Sequence, residues 1–214
     1  MSTVIPLPKQ SSTLDDYLSQ HGQYGMIGQS PQMQTVYETI RKVAPQNVPV
    51  LIIGESGTGK ELVARAIHKE SARSGPFLAL NCGALVESVL QNELFGHERG
   101  AYTDAHMARK GYFEVANDGT LLIDEILEMP HSMQTALLRV IQFGEFNKIG
   151  SPVTQHTNAR IITAGNGSID EAVREGKFYM PLFYRIRVVE IDMPPLRERG
   201  EDLKFLAEYF TMKY

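Results

Sequence analysis

The sequence lacks the features that define several classes of protein. It has one cysteine, Cys82, in 214 residues, so no disulfide can form within the chain, and this favours a reducing compartment. No apolar run approaches the roughly 20 residues that cross a bilayer. Residues 1–23 are polar and lack the apolar segment of a secretory signal. We therefore expect a cytoplasmic chain with no membrane partner.

The sequence also lacks an excess of basic residues. Lysine and arginine together number 21 against 25 aspartates and glutamates, and the formal net charge is −4. A domain whose surface is built for nucleic acid usually carries clustered positive charge. The sequence has neither a helix-turn-helix pattern nor a Lys/Arg-rich arm. We expect any DNA contact of the whole protein to lie in a domain outside this chain.

What the sequence does contain is a regular alternation of strand and helix patterns. Apolar runs predict strands at residues 49–53, 77–81, 119–124, 159–164 and 187–191. Amphipathic segments predict helices at residues 31–43, 60–72, 87–94, 131–142, 168–175 and 178–185, and a polar hairpin at 144–158 interrupts the series. This alternation predicts an α/β fold, in which a parallel sheet is sandwiched by helices. Residues 1–24 have little periodicity and read as a linker, so the predicted α/β domain spans residues 25–193.

A glycine-rich segment follows the first of these strands and opens the next helix. Glycines let the backbone curl so that several N–H groups point at one anion, and the helix N-terminus and a lysine add positive charge. This arrangement suits the β- and γ-phosphates of a nucleotide. Many such loops end in Lys-Ser or Lys-Thr, whose hydroxyl helps to hold Mg²⁺; here that position is glutamate. The predicted nucleotide-binding residues of the loop are Gly54, Glu55, Ser56, Gly57, Thr58, Gly59, Lys60 and Glu61.

An acidic pair ends the predicted strand at residues 119–124. In open α/β sheets, ligands bind at the carboxyl ends of the strands. Asp124 is the predicted Mg²⁺ ligand, and Glu125 is predicted to polarise the water that attacks the γ-phosphate. Such a pair alone is also typical of a solvated turn. The phosphate loop upstream favours nucleoside triphosphate hydrolysis instead.

Taken together, the motifs resemble those of the AAA+ domain of bacterial enhancer-binding proteins, the activators of sigma-54 RNA polymerase. The resemblance runs from about residue 26 to the end of the chain. It is carried by residues 27–30 (Ile-Gly-Gln-Ser), 54–61, 81–85 (Asn-Cys-Gly-Ala-Leu), 93–98 (Glu-Leu-Phe-Gly-His-Glu), 100–103, 111–114, 119–125, 137–140 and 194–199 (Pro-Pro-Leu-Arg-Glu-Arg).

The resemblance implies a P-loop AAA+ fold that uses ATP and Mg²⁺. It also implies a homo-oligomeric ring, hexameric in the full-length protein, with RNA polymerase sigma-54 as partner and DNA bound through a domain absent from this chain. Residues 194–214 would be the start of a helical lid that is cut off at Tyr214, so we expect a fragment. Ile27 and Gly28 would join the residues that bind the nucleotide.

Further catalytic residues follow from the resemblance rather than from spacing. Asn81 matches the residue that couples Glu125 to the nucleotide state. Asn166 matches the sensor between the water and the γ-phosphate. Arg185 matches an arginine that reaches into the neighbouring subunit's nucleotide, where it would stabilise the transferring phosphoryl group.

Two departures from the family pattern are visible. Family members typically carry Gly-Ala-Phe-Thr-Gly-Ala at the tip of the loop that touches sigma-54. Here Asp104 places a charge and a Cβ where the family has the second glycine. The family also has an arginine directly after Phe178, where this chain has Tyr179, so one of two trans-acting arginines is missing. The predicted partner loop consists of Gly100, Ala101, Tyr102, Thr103, Asp104 and Ala105.

These departures leave two functions open. In the first, the chain is an ATPase motor that remodels the sigma-54 holoenzyme. In the second, it binds nucleotide (ATP, cyclic di-GMP or both) as a regulatory ligand, with little hydrolysis and no sigma-54 dependence. A purely structural oligomerisation module would not need the complete phosphate loop and acidic pair. The sequence therefore favours ATP binding and leaves ATPase activity undecided.

Overall fold

The computed structural model describes residues 14–103 and 105–214. Its strands are β1 Gly22–Gln23, β2 Met26–Ile27, β3 Val50–Ile53, β4 Phe77–Asn81, β5 Gly96–His97, β6 Arg109–Lys110, β7 Thr120–Asp124, β8 Glu145–Asn147, β9 Thr154–His156, β10 Arg160–Gly165 and β11 Val189–Asp192. Its α-helices are α1 Leu14–His21, α2 Pro31–Val43, α3 Lys60–Glu70, α4 Glu87–Phe95, α5 Tyr112–Val115, α6 His131–Phe143, α7 Ile169–Arg174, α8 Met180–Ile186 and α9 Asp202–Lys213. Two 3₁₀ turns span Ile126–Glu128 and Leu196–Glu198.

Five parallel strands form the central sheet in the order β11-β3-β10-β7-β4. Parallel neighbours need crossover connections, and helices supply them here. The register places Gly165 beside Ile53 and Asn81 beside Asp124. The carboxyl ends of the strands therefore line up along one edge of the sheet, where the predicted site residues follow.

Two apolar cores cover the two faces of this sheet. Successive residues of a strand face opposite sides, so Val50 and Ile52 pack with α2 and α3, whereas Leu51 packs with the helices on the other face. The fully buried partners on the first face include Met33, Ile40, Val63 and Ile67, and those on the second include Leu90, Leu94, Leu137 and Leu182. Burial of such side chains stabilises the fold by about 2 kcal/mol each.

The predicted elements are confirmed, with small shifts at their ends. All five predicted strands form the central sheet, and the segment 144–158 forms the hairpin of β8 and β9. Ser30 caps α2 by accepting a hydrogen bond from the Met33 amide at 3.4 Å, and Pro31 occupies the first turn. Helix α8 begins two residues later than predicted, because the Tyr179 amide donates to Gln134 Oε1 at 2.7 Å instead.

The two ends of the described chain pack together. The Tyr17 hydroxyl of α1 donates to Glu208 Oε2 at 2.7 Å, and the ring of His21 stacks on Phe205 of α9. The domain divisions after residues 24 and 193 stay predictions. Among the residues described, no helix combines the length and the apolar character needed to span a membrane.

Candidate functional site

The glycine-rich segment forms a tight loop between β3 and α3. Gly57 and Gly59 have φ angles of 77° and 99°, in the left-handed region that glycine enters without steric cost. Thr58 closes the loop, because its amide and its hydroxyl both donate to the Glu55 carbonyl oxygen, at 3.3 and 2.7 Å. The backbone thus curls ahead of the α3 N-terminus, as an anion site requires.

Lys60 is the first residue of α3, and its side chain lies back across this loop. The residue is only 8% exposed. Its Nζ donates to the carbonyl oxygens of Gly54 at 2.8 Å and Glu55 at 3.0 Å. An ammonium group has three donors. Since the described residues use two of them, one is left to face a bound anion.

The acidic pair lies at the end of β7 in a strained turn. Glu125 has a left-handed backbone, with φ 53° and ψ 46°, which costs a non-glycine residue about 1–2 kcal/mol. Its amide donates to Asp124 Oδ1 at 2.8 Å. The turn leads directly into the 3₁₀ turn Ile126–Glu128. Strain of this kind is typical of functional positions.

These predicted residues converge on one cavity. The cavity has a volume of about 230 Å³ and lies where β3, β7 and β10 end. Asn166 reaches it from the residue directly after β10. Lys60 and the acidic pair therefore line the same cavity. The cavity is lined by Ser56, Gly57, Gly59, Lys60, Glu61, Asp124, Glu125 and Asn166.

A larger cavity lies on the other side of the phosphate loop. Its volume is about 700 Å³, and most of the side chains around it are apolar. Its lining includes Met26 and Ile27 of β2, Leu62 of α3, and Leu203 and Phe210 of α9. The predicted residue Ile27 is thus at this cavity, whereas Gly28 lies behind its wall, against Met33.

The predicted catalytic residues Asn81 and Arg185 lie outside the 230 Å³ cavity, as do Gly54, Glu55 and Thr58 of the phosphate loop. Asn81 is paired in register with Asp124, and its Oδ1 accepts a hydrogen bond from the Ala84 amide at 3.1 Å. Arg185 is exposed on α8 and is not part of either cavity wall. The structure therefore keeps Asn81 beside the acidic pair and leaves Arg185 facing outward. Their catalytic roles stay predictions.

Sequence reasoning missed a functional role for Gly83. A Cβ at this position would lie 2.0 Å from Glu125 Oε2 and 3.4 Å from Asn81 Oδ1. The Glu125 carboxylate therefore occupies the space that any side chain at residue 83 would need. No spacing rule could have found this contact, because it joins the loop after β4 to the turn after β7.

We expect Gly83→Ala to slow ATP hydrolysis by about 100-fold while ATP binding persists, because a displacement of about 1 Å can cost that much in catalysis. The added methyl group meets the flexible end of a glutamate, so the melting temperature should change little. ATP turnover and calorimetric ATP affinity measure the two effects. Gly165→Ala is the matched control, since its Cβ meets no atom closer than 3.5 Å. Turnover at the wild-type rate in Gly83→Ala would contradict the assignment.

The predicted partner loop rises from the antiparallel stem of β5 and β6. The Gly100 amide donates to the Ala105 carbonyl oxygen at 2.8 Å, and the Ala105 amide donates to the Tyr102 carbonyl oxygen at 3.0 Å. Ala105 is buried, whereas Tyr102 and Thr103 are exposed. Asp104 lies outside the described residues. The loop therefore presents an aromatic ring and a hydroxyl to solvent.

The site is electrostatically negative at the end of β7. Cys82 is buried beside it, and its amide donates to the Asp124 carbonyl oxygen at 3.0 Å. Burial, followed by the charges of Asp124 and Glu125, raises the pKa of the Cys82 thiol to about 12. The thiol therefore stays protonated near neutral pH. The negative charges beside it are those of Asp124 and Glu125, which a bound cation would balance.

Known proteins are similar to this chain in sequence and in fold. Regulatory protein AtoC of Escherichia coli (strain K12) is 48% identical over 210 residues, which cover 97% of this chain and 46% of that protein. Transcriptional regulatory protein ZraR of Klebsiella oxytoca is 51% identical over 193 residues, or 90% of this chain and 44% of that protein. The crystal structure of NtrX from Brucella abortus in complex with ATP has a TM-score of 0.81 at 36% identity, covering 88% of this chain and 42% of that chain. The chain spans less than half the length of each.

A parallel sheet whose central strands end in a phosphate loop, an acidic pair and a polar residue defines a P-loop AAA+ domain. The predicted fold class is confirmed. Residues 26–192 match the sigma-54 interaction domain family. The chain belongs to that family, whose members are transcriptional regulators, and the resemblance read from the motifs is confirmed.

Proposed function

We propose that this domain binds ATP with Mg²⁺, hydrolyses it within a ring of identical subunits, and uses the cycle to remodel sigma-54 RNA polymerase. The 230 Å³ cavity carries the proposal, because it brings Lys60, Asp124, Glu125 and Asn166 together from three strands. NtrX, which shares the fold at 36% identity, was solved in complex with ATP. This likeness supports the same ligand here.

The two cavities fit the two halves of ATP. They share Ser56, Gly57 and Gly59, so the phosphate loop lies between them. The triphosphate would lie against the loop amides and the free donor of Lys60. The base would lie in the apolar cavity beside Ile27 and Leu62, where burial of its rings is favourable.

The carboxylate of Asp124 fits a magnesium ion. Mg²⁺ prefers oxygen ligands and is usually held by one or two carboxylates together with substrate phosphates. Asp124 lines the cavity opposite Lys60, and its Oδ1 accepts one amide, which leaves Oδ2 for a cation. When bound, the ion would neutralise charge on the β- and γ-phosphates. Glu61, at the position of the usual hydroxyl, also faces this cavity.

Hydrolysis would depend on the residues around the γ-phosphate. Glu125 would accept the proton of the attacking water, and its strained backbone and its contact with Gly83 hold the carboxylate in place. Asn166 would orient the water, and Lys60 would stabilise charge on the leaving phosphate. Asn81 lies beside the acidic pair and would relay the nucleotide state to Glu125.

Ring assembly would complete the site. Arg185 faces outward on α8, where Met180 and Tyr184 are also exposed, at 52% and 69%, and Val188, just after the helix, is 51% exposed. Apolar side chains around an exposed arginine suit a protein contact. A neighbouring subunit that docks here would receive Arg185 at its triphosphate. Activity would then require assembly.

The second function, in which the nucleotide is a regulatory ligand, is favoured by two positions, Tyr179 and Asp104. The position after Phe178 holds Tyr179, whose ring contacts His131 at a centroid distance of 5.3 Å and whose amide binds Gln134. This residue brings no cation to a neighbouring subunit. Loss of one charged donor weakens transition-state stabilisation by roughly 3 kcal/mol. Asp104 in the partner loop favours the same alternative, without sigma-54.

ATP turnover by the full-length protein, measured across protein concentration, tests the proposal. We expect the rate per subunit to rise as subunits assemble, with sigma-54-dependent transcription following the same curve. ATP binding without turnover at any concentration, together with sigma-70-dependent transcription, would support the regulatory alternative. Calorimetric titrations that show binding of neither ATP nor cyclic di-GMP would contradict both functions.

A further inference from the structure

The carboxylate of Asp202 is buried and accepts three hydrogen bonds. Asp202 is the first residue of α9 and is only 1% exposed. Its Oδ1 accepts the amides of Gln29 at 2.6 Å and Ser30 at 3.0 Å, and its Oδ2 accepts the Ser30 hydroxyl at 2.6 Å. Hydrogen bonds to an ionised acceptor are about twice as strong as those between neutral groups. This carboxylate therefore ties α9 to the segment before α2.

The segment it holds leads into one wall of the apolar cavity. Residues 28–30 directly follow β2, whose Met26 and Ile27 line the cavity, and α9 also contributes to its lining. A Cβ at Gly28 would lie 2.8 Å from Asp202 Oδ2. The absence of a side chain at residue 28 is what lets the carboxylate approach. The carboxylate therefore ties together β2 and α9, two elements that both line the cavity.

Arg199 ties the residues just before α9 to the phosphate loop. The residue is 6% exposed, and its Nη2 donates to the Thr58 carbonyl oxygen at 2.7 Å while its Nε donates to the Pro194 carbonyl oxygen at 2.9 Å. The Asp202 amide in turn donates to the Arg199 carbonyl oxygen at 3.1 Å. Arg199 thus ties the start of α9 to the phosphate loop, and Asp202 ties it to the segment after β2.

We infer that Asp202 is a positioning residue for the nucleoside half of the ligand: it sets the width of the apolar cavity without touching the nucleotide. The inference rests on the proposed ATP binding. Loss of the carboxylate should loosen the β2 side of the cavity, where the base would lie, and leave the phosphate loop intact. Binding of a ligand with a base should then weaken, whereas binding of a bare triphosphate should not.

Calorimetric titration of the full-length protein with ATP and with inorganic tripolyphosphate separates these effects. We expect Asp202→Asn to weaken ATP binding about tenfold, within the range of coupling between linked sites, and to leave tripolyphosphate affinity unchanged. Glu201→Gln is the matched control, since this neighbouring acid is exposed. Ser30→Ala removes one of the three bonds and should shift ATP affinity in the same direction by less, which keeps the test usable if Asp202→Asn lowers stability.

Unchanged ATP affinity in Asp202→Asn would overturn the inference. Equal losses for ATP and tripolyphosphate would also overturn it, because they indicate a general structural defect. Wild-type protein that binds ATP no more tightly than tripolyphosphate would show that the apolar cavity contributes nothing. If the wild type binds neither ligand, the proposed ATP binding itself fails.

Discussion

Lys60→Ala is expected to weaken ATP binding by about 100-fold or more. The variant loses a buried ammonium that donates to two loop carbonyls and faces the cavity. Charge-assisted hydrogen bonds are worth roughly 1.5–3 kcal/mol each. The loop amides that remain are neutral and cannot balance the charge of a triphosphate. Isothermal titration calorimetry with ATP and Mg²⁺ measures the change.

Lys69→Ala provides the matched control, since Lys69 is exposed near the end of the same helix and away from both cavities. Its ATP affinity should equal that of the wild type. Thermal unfolding should be followed for both variants, because Lys60 also ties the loop to α3. An unchanged affinity in folded Lys60→Ala would rule out the phosphate-loop assignment.

Glu125→Gln is expected to stop hydrolysis and to preserve ATP binding. Glutamine keeps the size of the side chain next to Gly83 but cannot accept the proton of the attacking water. General base catalysis contributes 10²–10⁴ in rate, so turnover should fall by about 100-fold or more. Single-turnover hydrolysis, measured at protein concentrations at which the wild type is active, reports the chemical step.

Glu128→Gln serves as the control here, because Glu128 is exposed in the same 3₁₀ turn and lies off the cavity. Its turnover should match the wild type. Hydrolysis at an undiminished rate in Glu125→Gln would assign the base to another residue. Loss of ATP binding in this variant would instead show that Glu125 contributes to affinity.

Local patterns in the sequence predicted most of the fold. Buried parallel strands are short apolar runs bounded by turns, so all five were found within two residues of their ends. The phosphate loop was recognisable because its chemistry needs contiguous residues: glycines with positive φ, then a lysine at a helix start. The acidic pair alone is also typical of a solvated turn. It indicated a site of nucleotide hydrolysis only in combination with that loop.

What the sequence could not predict depends on contacts between distant segments. The order of the strands follows from packing of the crossover helices, which no single segment encodes. Gly83 is confined only because Glu125 lies against it, and Asp202 is buried and hydrogen-bonded only because α9 returns to residues 28–30. Each of these two contacts joins residues more than 40 positions apart along the sequence. Local patterns alone indicate only that Gly83 is in a turn and that Asp202 is at the start of a helix.

Cys82 has a practical consequence for experiments on this protein. It is the single thiol in the chain, and it is 2% exposed in the wall behind the acidic pair. Maleimide reagents attack accessible thiolates, so the native cysteine should be left unlabelled under gentle conditions. A cysteine introduced at the exposed Thr103 would then carry the only fluorophore or spin probe. Movements of the partner loop during the nucleotide cycle could be followed without first removing the natural residue.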